Sequence, residues 1–163
     1  MTRRSALKKI LFSVFALFMV FVSTSHLTLA QTGKNNSVSK IPALLEKSGY
    51  QYKKVKEGVW QIDFQGKNLA AFQLNITLIG DQLILFVDLA NRGDLNFNSG
   101  LAVKLLELND AMDTIKFALS EKSLYARMEA HERIIDLQEL KYMCNQMSAA
   151  VDEAFAQIKS FLN

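Results

Sequence analysis

The strongest constraint on the fold comes from residues 137–162, where apolar side chains recur every three or four positions. This spacing places them along one stripe of an α-helix, with most charged residues off the stripe. The stripe comprises Leu140, Cys144, Met147, Val151, Phe155, Ile158 and Leu162, widened by Met143, Ala150, Ala154 and Phe161. At ~1.5 Å per residue the helix would span about 39 Å, enough to cross a small sheet. We expect a core helix laid across a sheet; a helix that offers its stripe to a partner is the alternative.

Polar residues indicate where this helix begins and which surroundings suit it. Asp136 precedes the apolar pattern and Glu139 follows three residues later, which is the spacing of a capping box. Charged residues recur at nearly every turn, which excludes a membrane span. The single cysteine, Cys144, lies on the apolar stripe. An exported chain with one cysteine has no internal disulfide, so we predict a buried, unreactive thiol.

Residues 1–30 have the composition of a secretory signal peptide. A basic start is followed by an apolar run over residues 10–22, which is short for a membrane helix. Small residues precede a predicted cleavage site after Ala30, with Ser25 as the second choice. We therefore expect a cleaved signal and a periplasmic or secreted protein; a retained N-terminal anchor is the alternative.

The first residues do not decide between the twin-arginine and the general secretory export routes. Arg3 and Arg4 partly match a twin-arginine export motif, but Ala6 stands where that motif prefers phenylalanine. The strongly apolar run that follows suits the general secretory route better.

Signal cleavage changes the charge of the protein. The full chain carries +3, and residues 1–30 hold four basic and no acidic residues, so the remaining chain carries −1. This balance gives no electrostatic basis for binding nucleic acid, and we expect no membrane attachment after cleavage. Residues 31–40 are polar and predict a flexible linker. Residues 41–163 have the length of one domain that can fold without disulfides or metal.

The first half of this domain predicts a short helix and three strands. Pro42 suits a first helical turn and Gly49 a helix end, which places a helix over residues 41–48. Apolar and polar side chains then alternate in three stretches joined by short polar turns, at residues 59–64, 72–78 and 83–89. Short turns between alternating strands predict an antiparallel meander.

One side of these strands mixes polar residues with large apolar ones. The apolar residues could pack at a sheet edge or beneath a loop, or they could form a patch that contacts a partner protein. In the second case, the apolar side chains supply contact area and two amide side chains supply directional hydrogen bonds. The candidate partner-binding residues are Val59, Gln73, Asn75, Ile79, Ile84 and Phe86.

The second half of the domain predicts another helix and a β-hairpin. Ser99 could cap a helix that continues through Asn109, with leucines on one side. Alternation resumes over residues 115–119 and 124–128, with a turn between them. The element order is therefore α-β-β-β-α-β-β-α. This order is typical of the α+β class, here an antiparallel sheet of about five strands with helices packed on it.

Four stretches of this second half resemble the YbjN family. They are Leu105-Leu106-Glu107-Leu108-Asn109 before a strand ending in Phe117-Ala118-Leu119, then Leu124-Tyr125-Ala126-Arg127-Met128-Glu129, then Val151-Asp152-Glu153-Ala154-Phe155 in the helix that Asp136 opens. In element order the resemblance covers roughly residues 41–162, and Asn109 is its most telling residue.

The resemblance carries expectations about fold and function. The YbjN family shares the fold of class I type III secretion chaperones. Membership would imply a small domain, often dimeric, that binds other proteins rather than turning over a substrate. Those chaperones act in the cytoplasm and are usually acidic, whereas this chain has an export signal and is near neutral after cleavage. We therefore do not expect this protein to act as the chaperone of a type III effector.

No catalytic constellation is evident in the sequence. After cleavage the chain has one histidine, His131, whereas acid–base catalysis and metal binding depend largely on histidines or convergent acids. Glu129 and Glu132 stand nearby, but no second histidine or cysteine lies at ligand spacing. We predict no enzyme, no metal site and no cofactor. A periplasmic small-ligand-binding protein or hydrolase is the alternative.

The sequence thus predicts an exported, non-catalytic protein-binding domain, chaperone-like or regulatory. It would capture a partner with the outer face of its sheet or with an open strand edge, or it would form a homodimer. The sequence does not identify the partner protein.

Overall fold

The computed structural model describes residues 39–163. The predicted signal peptide and residues 31–38 of the predicted linker lie outside the described residues. The domain predicted over residues 41–163 is described throughout. None of the helices in residues 39–163 is long and apolar enough to cross a membrane.

The described residues contain three α-helices and one antiparallel sheet of six strands. The elements in chain order are α1 Ile41–Ser48, β1 Tyr52–Lys56, β2 Val59–Phe64, β3 Phe72–Ile79, β4 Gln82–Asn91, α2 Ser99–Ala111, β5 Lys116–Leu119, β6 Ser123–His131 and α3 Leu137–Ile158. The predicted α+β class and the order of the predicted elements are confirmed. Asn98, rather than Ser99, caps α2, because its side chain accepts a hydrogen bond from the N–H of Leu101.

The sheet has one strand more than expected, because β1 was not predicted. Four of the five residues of β1 are exposed, and three of them are lysines. An edge strand of this kind shows no clear apolar alternation, and edge lysines are common because they discourage pairing with other chains. Only Tyr52, which lies opposite Ile62 of β2, is partly buried against the core.

The strand order is β1-β2-β3-β4-β6-β5. Strands β2, β3 and β4 form the predicted meander, β1 adds a fourth strand at its edge, and α2 then carries the chain to β5 at the far edge. The hairpin returns with β6 beside β4, where the two strands pair antiparallel from Gln82↔His131 to Asn91↔Ser123. The middle of the sheet is therefore built from strands that are distant in the sequence.

The long helix is α3, and its predicted stripe is core except for Phe155, Phe161 and Leu162, which are partly buried against it. Its α-helical part ends at Ile158 and continues as a 3-10 turn over Lys159–Phe161, so it is shorter than the predicted run. The carboxylate of Asp136 accepts the N–H of Glu139 at 2.8 Å, as the capping pattern predicted. Its buried residues are Leu140, Met143, Cys144, Met147, Ala150, Val151, Ala154 and Ile158. Burial raises the pKa of the Cys144 thiol to about 12, which agrees with the predicted unreactive cysteine.

The core lies between one face of the sheet and the helices. The inward-facing strand residues with at most 4% exposure include Trp60, Ile62, Leu74, Ile76, Leu83, Leu85, Val87, Leu124, Ala126 and Met128. Helix α1 adds Ile41 and Leu45, and α2 adds three leucines at helical spacing. These side chains form one hydrophobic cluster. The alternation of each strand therefore directs its other side chains to the opposite face.

A carboxylate on α3 holds the loop between β2 and β3. Asp152 accepts the backbone N–H of Asn68 at 2.7 Å and that of Leu69 at 2.9 Å. These bonds, that of Leu69 foremost, hold the pKa of Asp152 below its usual range. Gly66 lies so close that a β-carbon there would collide with the Asp152 carboxylate. The loop thus needs a glycine at this position to approach the helix.

Candidate partner-binding site on the outer sheet face

The outer face is the surface formed by the side chains of β2, β3, β4 and β6 that point away from the core. The strand register aligns these side chains in cross-strand rows. One row runs Gln61, Asn75, Phe86 and Arg127, and the next runs Val59, Thr77, Ile84 and Glu129. None of these eight side chains is fully buried.

All six residues predicted to bind a partner lie on the outer face. Ile79, Ile84 and Phe86 line a shallow hollow of about 440 Å³ together with Thr77. Ile79 is 63% exposed, while Ile84 and Phe86 are half-buried. Val59 is half-buried opposite Thr77 on the neighbouring strand and does not line the hollow. The alternation therefore brought three of the four apolar candidates to one place.

The two predicted amide residues lie outside the hollow and already bond across strands. Gln73 donates from Nε2 to Oδ1 of Asp63 at 3.1 Å. Asn75 accepts at Oδ1 from Nε2 of Gln61 at 2.8 Å. Both bonds tie β2 to β3, so each amide keeps only part of its hydrogen-bonding capacity for a partner.

The polar half of the hollow comes from residues that sequence reasoning did not select. Its lining includes Asp88, Ser120, Ser123, Tyr125 and Arg127. Oδ1 of Asp88 accepts from the hydroxyl of Ser123 at 2.6 Å, across β4 and β6. The alternation of β6 already separated Tyr125 and Arg127 from the buried residues between them. Their position beside Ile84 and Phe86 depends on the strand order, which local patterns do not specify.

Among residues 39–163, Arg127 is the cation that lines the hollow, and its guanidinium lies close to the carboxylate of Glu129. Nε of Arg127 lies 2.7 Å from Oε1 of Glu129, two residues along the same strand. The geometry does not make a well-directed hydrogen bond from this nitrogen. Both side chains are more than a third exposed, so water screens the pair and it contributes little to stability.

The two edge strands of the sheet, β1 and β5, differ in how accessible their backbone groups are to another chain. At β5, the N–H of Phe117 donates to Oδ1 of Asn109 at 2.6 Å, and Nδ2 of Asn109 donates to the carbonyl of Phe117 at 3.0 Å. A side chain of α2 thus takes the place that another strand would occupy. Nζ of Lys116 also donates to the carbonyls of Asn109 and Met112, both at 3.0 Å. The more open edge is β1, whose residues are mostly exposed.

His131 and the neighbouring acid Glu132 bond to different groups. Nε2 of His131 lies 2.7 Å from Oδ2 of Asp81, and its Nδ1 accepts the N–H of Arg133 at 3.2 Å. Oε1 of Glu132 accepts from the hydroxyl of Ser39 at 2.6 Å and from the N–H of Lys40 at 3.0 Å. Within residues 39–163, no group of three histidine, cysteine or acidic side chains is placed to hold a metal ion.

Comparison with known proteins adds information on the fold. No family model matches the chain, and no curated protein matches it. YbjN from E. coli superposes with a TM-score of 0.56 at 12% identity, over 74% of this chain and 89% of that chain. The ExsC–ExsE complex matches with a TM-score of 0.55 at 13% identity, over 74% and 94%. The heterodimeric ExoU–SpcU complex from the type III secretion system of Pseudomonas aeruginosa matches with 0.51 at 17%, over 76% and 98%.

The fold is that of YbjN and the type III secretion chaperones. This likeness confirms the YbjN-like, chaperone-like architecture that the residues around Asn109 indicated. At 12–17% identity it shows the fold alone. Two of the three structures are complexes of two different proteins.

Proposed function

We propose that this chain is a non-catalytic protein-binding domain, chaperone-like or regulatory, that captures a partner on its outer face. The observation that carries the proposal is the apolar hollow formed by Ile79, Ile84 and Phe86. Fully burying one such side chain contributes roughly 1.5–3 kcal/mol, and the exposed Ile79 has the most surface left to bury.

The shape and lining of the hollow favour a protein partner over a small ligand. Small-ligand sites usually enclose most of the ligand, whereas this hollow is shallow and lies on an open sheet. Its apolar half adjoins a polar half that includes Asp88, Tyr125 and Arg127. Apolar contact area beside polar groups is the usual composition of a protein interface.

A second copy of the chain is the other partner that we propose. Helix α2 leaves Val103 54% and Leu106 69% exposed, and Phe97 just before the helix is 56% exposed. Exposed apolar side chains on one helix are a common basis for self-association. Light scattering during size exclusion of the full chain would detect a dimer. Mutation of Leu106 to Asp would then show whether α2 forms its interface.

The outer-face proposal predicts that Ile84→Asp combined with Phe86→Asp abolishes partner capture and leaves the fold intact. Both residues are half-buried on the outer face, so two carboxylates there remain hydrated in the free protein but would be desolvated by a partner. The measurement is capture from a cell-envelope extract, with circular dichroism to verify folding.

The matched control adds the same two charges elsewhere, through Gln65→Asp and Gln138→Asp, both at exposed positions outside the hollow. We expect a protein that the wild type and the control retain but the double variant loses. Unfolding of the double variant would show that Ile84 and Phe86 belong to the core. Equal capture by all three proteins would exclude the hollow as the binding site.

We also propose export, with the protein located in the periplasm or secreted. The support is the basic start, apolar run and small-residue cleavage pattern of residues 1–30. The expected result is that protein recovered outside the cytoplasm of a bacterial host begins at Gln31, as read from its intact mass. A mass that includes residues 1–30 would instead indicate a retained N-terminal anchor.

A further inference from the structure

A second groove lies apart from the outer face, between the end of α2 and the side of α3. We call it the α2–α3 groove, and its volume is about 540 Å³. One wall follows α3 through Tyr142, Gln146, Ala149, Glu153 and Gln157, which recur at helical spacing. The other wall is the last turn of α2 and the residues that follow it. Leu108 and Ile115 are buried at its base, and Tyr142 is 55% exposed at its rim.

The charged residues that line this groove are all acidic. Glu107, Asp113 and Glu153 line it, and no lysine, arginine or histidine does. Lys104 forms an ion pair with Glu107 and offsets that charge. Within residues 39–163, neither Asp113 nor Glu153 forms an ion pair. The carboxyl end of α2 also lies here, but Nζ of Lys116 donates to the carbonyls of Asn109 and Met112 and offsets the negative end of the helix dipole.

The dimensions of the groove suit a helix. From Tyr142 to Gln157 the α3 wall extends about 22 Å, which is about four helical turns. Ala149 lies in the middle of this wall and Ala111 on the opposite one, so small side chains leave room for another helix to approach. Met112, which is half-buried, can adapt its shape to an apolar side chain inserted from above.

We propose that the α2–α3 groove binds a basic amphipathic helix of a protein partner. Its apolar side chains would cover Ala111, Met112 and Tyr142, and its lysines or arginines would face Asp113 and Glu153. A second copy of this chain docking by the same groove would bring carboxylates against carboxylates, which disfavours that occupant. The proposal does not depend on the outer face and adds a second surface to it.

The test is fluorescence anisotropy of the purified full chain with designed helical peptides of about 15 residues, the length of the α3 wall. The probe peptide has leucines on one face and lysines beside them. Two matched peptides replace the lysines with glutamates or scramble the order so that the leucines no longer share a face. We expect the probe peptide alone to bind, and binding to weaken with added salt.

Variants of the chain locate the binding. Asp113→Lys combined with Glu153→Lys should weaken binding at least about tenfold, because both partners of the cationic face are reversed. Ala149→Gln, which fills the groove without changing charge, should also weaken it. Glu46→Lys with Glu121→Lys adds the same charge at exposed positions outside the groove and should have little effect. The Ile84→Asp and Phe86→Asp variant should bind the probe normally, which separates this groove from the outer face.

Several outcomes would overturn the inference. Absence of probe binding would do so, as would equal binding of the glutamate or scrambled peptide. If the control pair weakened binding as much as the groove pair, the attraction would be general rather than local. If the groove variants changed the molecular mass in light scattering, a second copy would be the occupant instead.

Discussion

Trp60→Ala is expected to lower the free energy of unfolding by about 3–5 kcal/mol, the usual range for removing a buried tryptophan. Trp60 is 2% exposed, on the inner side of β2, between Lys54 of β1 and Ile76 of β3. Its loss leaves a cavity in the cluster that joins the sheet to the helices. Urea denaturation of the full chain, followed by circular dichroism, measures the change as a shift of the midpoint.

The neighbouring residue provides the control. Val59 is half-buried on the outer face, one position before Trp60 on the same strand. Val59→Ala is expected to cost less than about 1 kcal/mol, because fewer contacts are lost and no closed cavity forms. Similar midpoints for the two variants would mean that the two faces of β2 are equally buried, and the outer face could not then be a free surface.

Asn109→Ala is expected to cost about 2–4 kcal/mol, because two partly buried backbone groups of Phe117 lose their hydrogen-bond partner. The same change exposes the N–H and carbonyl of an edge strand, which favours pairing with another chain. We therefore expect both a lower urea midpoint and a rise in molecular mass with concentration, the second measured by light scattering.

Two further variants test whether the hydrogen bonds of Asn109 to Phe117 account for the loss of stability. Asn109→Asp keeps an acceptor for the Phe117 N–H but places a carboxylate beside the Phe117 carbonyl, so it should also be destabilised. Lys116→Met removes the exposed contacts of Nζ with the end of α2 and should cost about 0.3–1 kcal/mol. A cost for Asn109→Ala as small as that for Lys116→Met would show that Asn109 does not close the edge.

The hydrogen bonds of Asn109 to β5 affect which edge of the sheet a partner could pair with. If a partner adds an extended segment to this sheet, β1 is the more accessible edge within residues 39–163, because the Asn109 side chain is bonded to the outer backbone groups of Phe117 in β5. The lysines of β1 make unselective pairing unfavourable, since a partner must tolerate them. The outer face and β1 lie on the same sheet, so one partner could contact both.

Local patterns predicted most of the elements. The alternation of residues 59–64 and 72–78 predicted which side chains of β2 and β3 are buried, and the helical spacing around Met147 predicted the core stripe of α3. The pattern failed for β1, where lysines replace the apolar residues that would reveal a strand. An exposed edge strand buries little, so its sequence carries little hydrophobic signal.

For the hollow on the outer face, the sequence predicted the apolar residues but not the polar ones. Alternation is a property of each strand by itself, so it placed Ile79, Ile84 and Phe86 on one side without knowledge of the fold. Tyr125 and Arg127 joined them only because β6 lies beside β4, after α2 carries the chain across the sheet. The face of a side chain follows from its own strand, whereas its neighbours across strands follow from long-range packing. The sequence alone therefore determined the buried and outward faces, and the tertiary structure decided which outward residues share a hollow, which groove α2 and α3 enclose, and which sheet edge is closed.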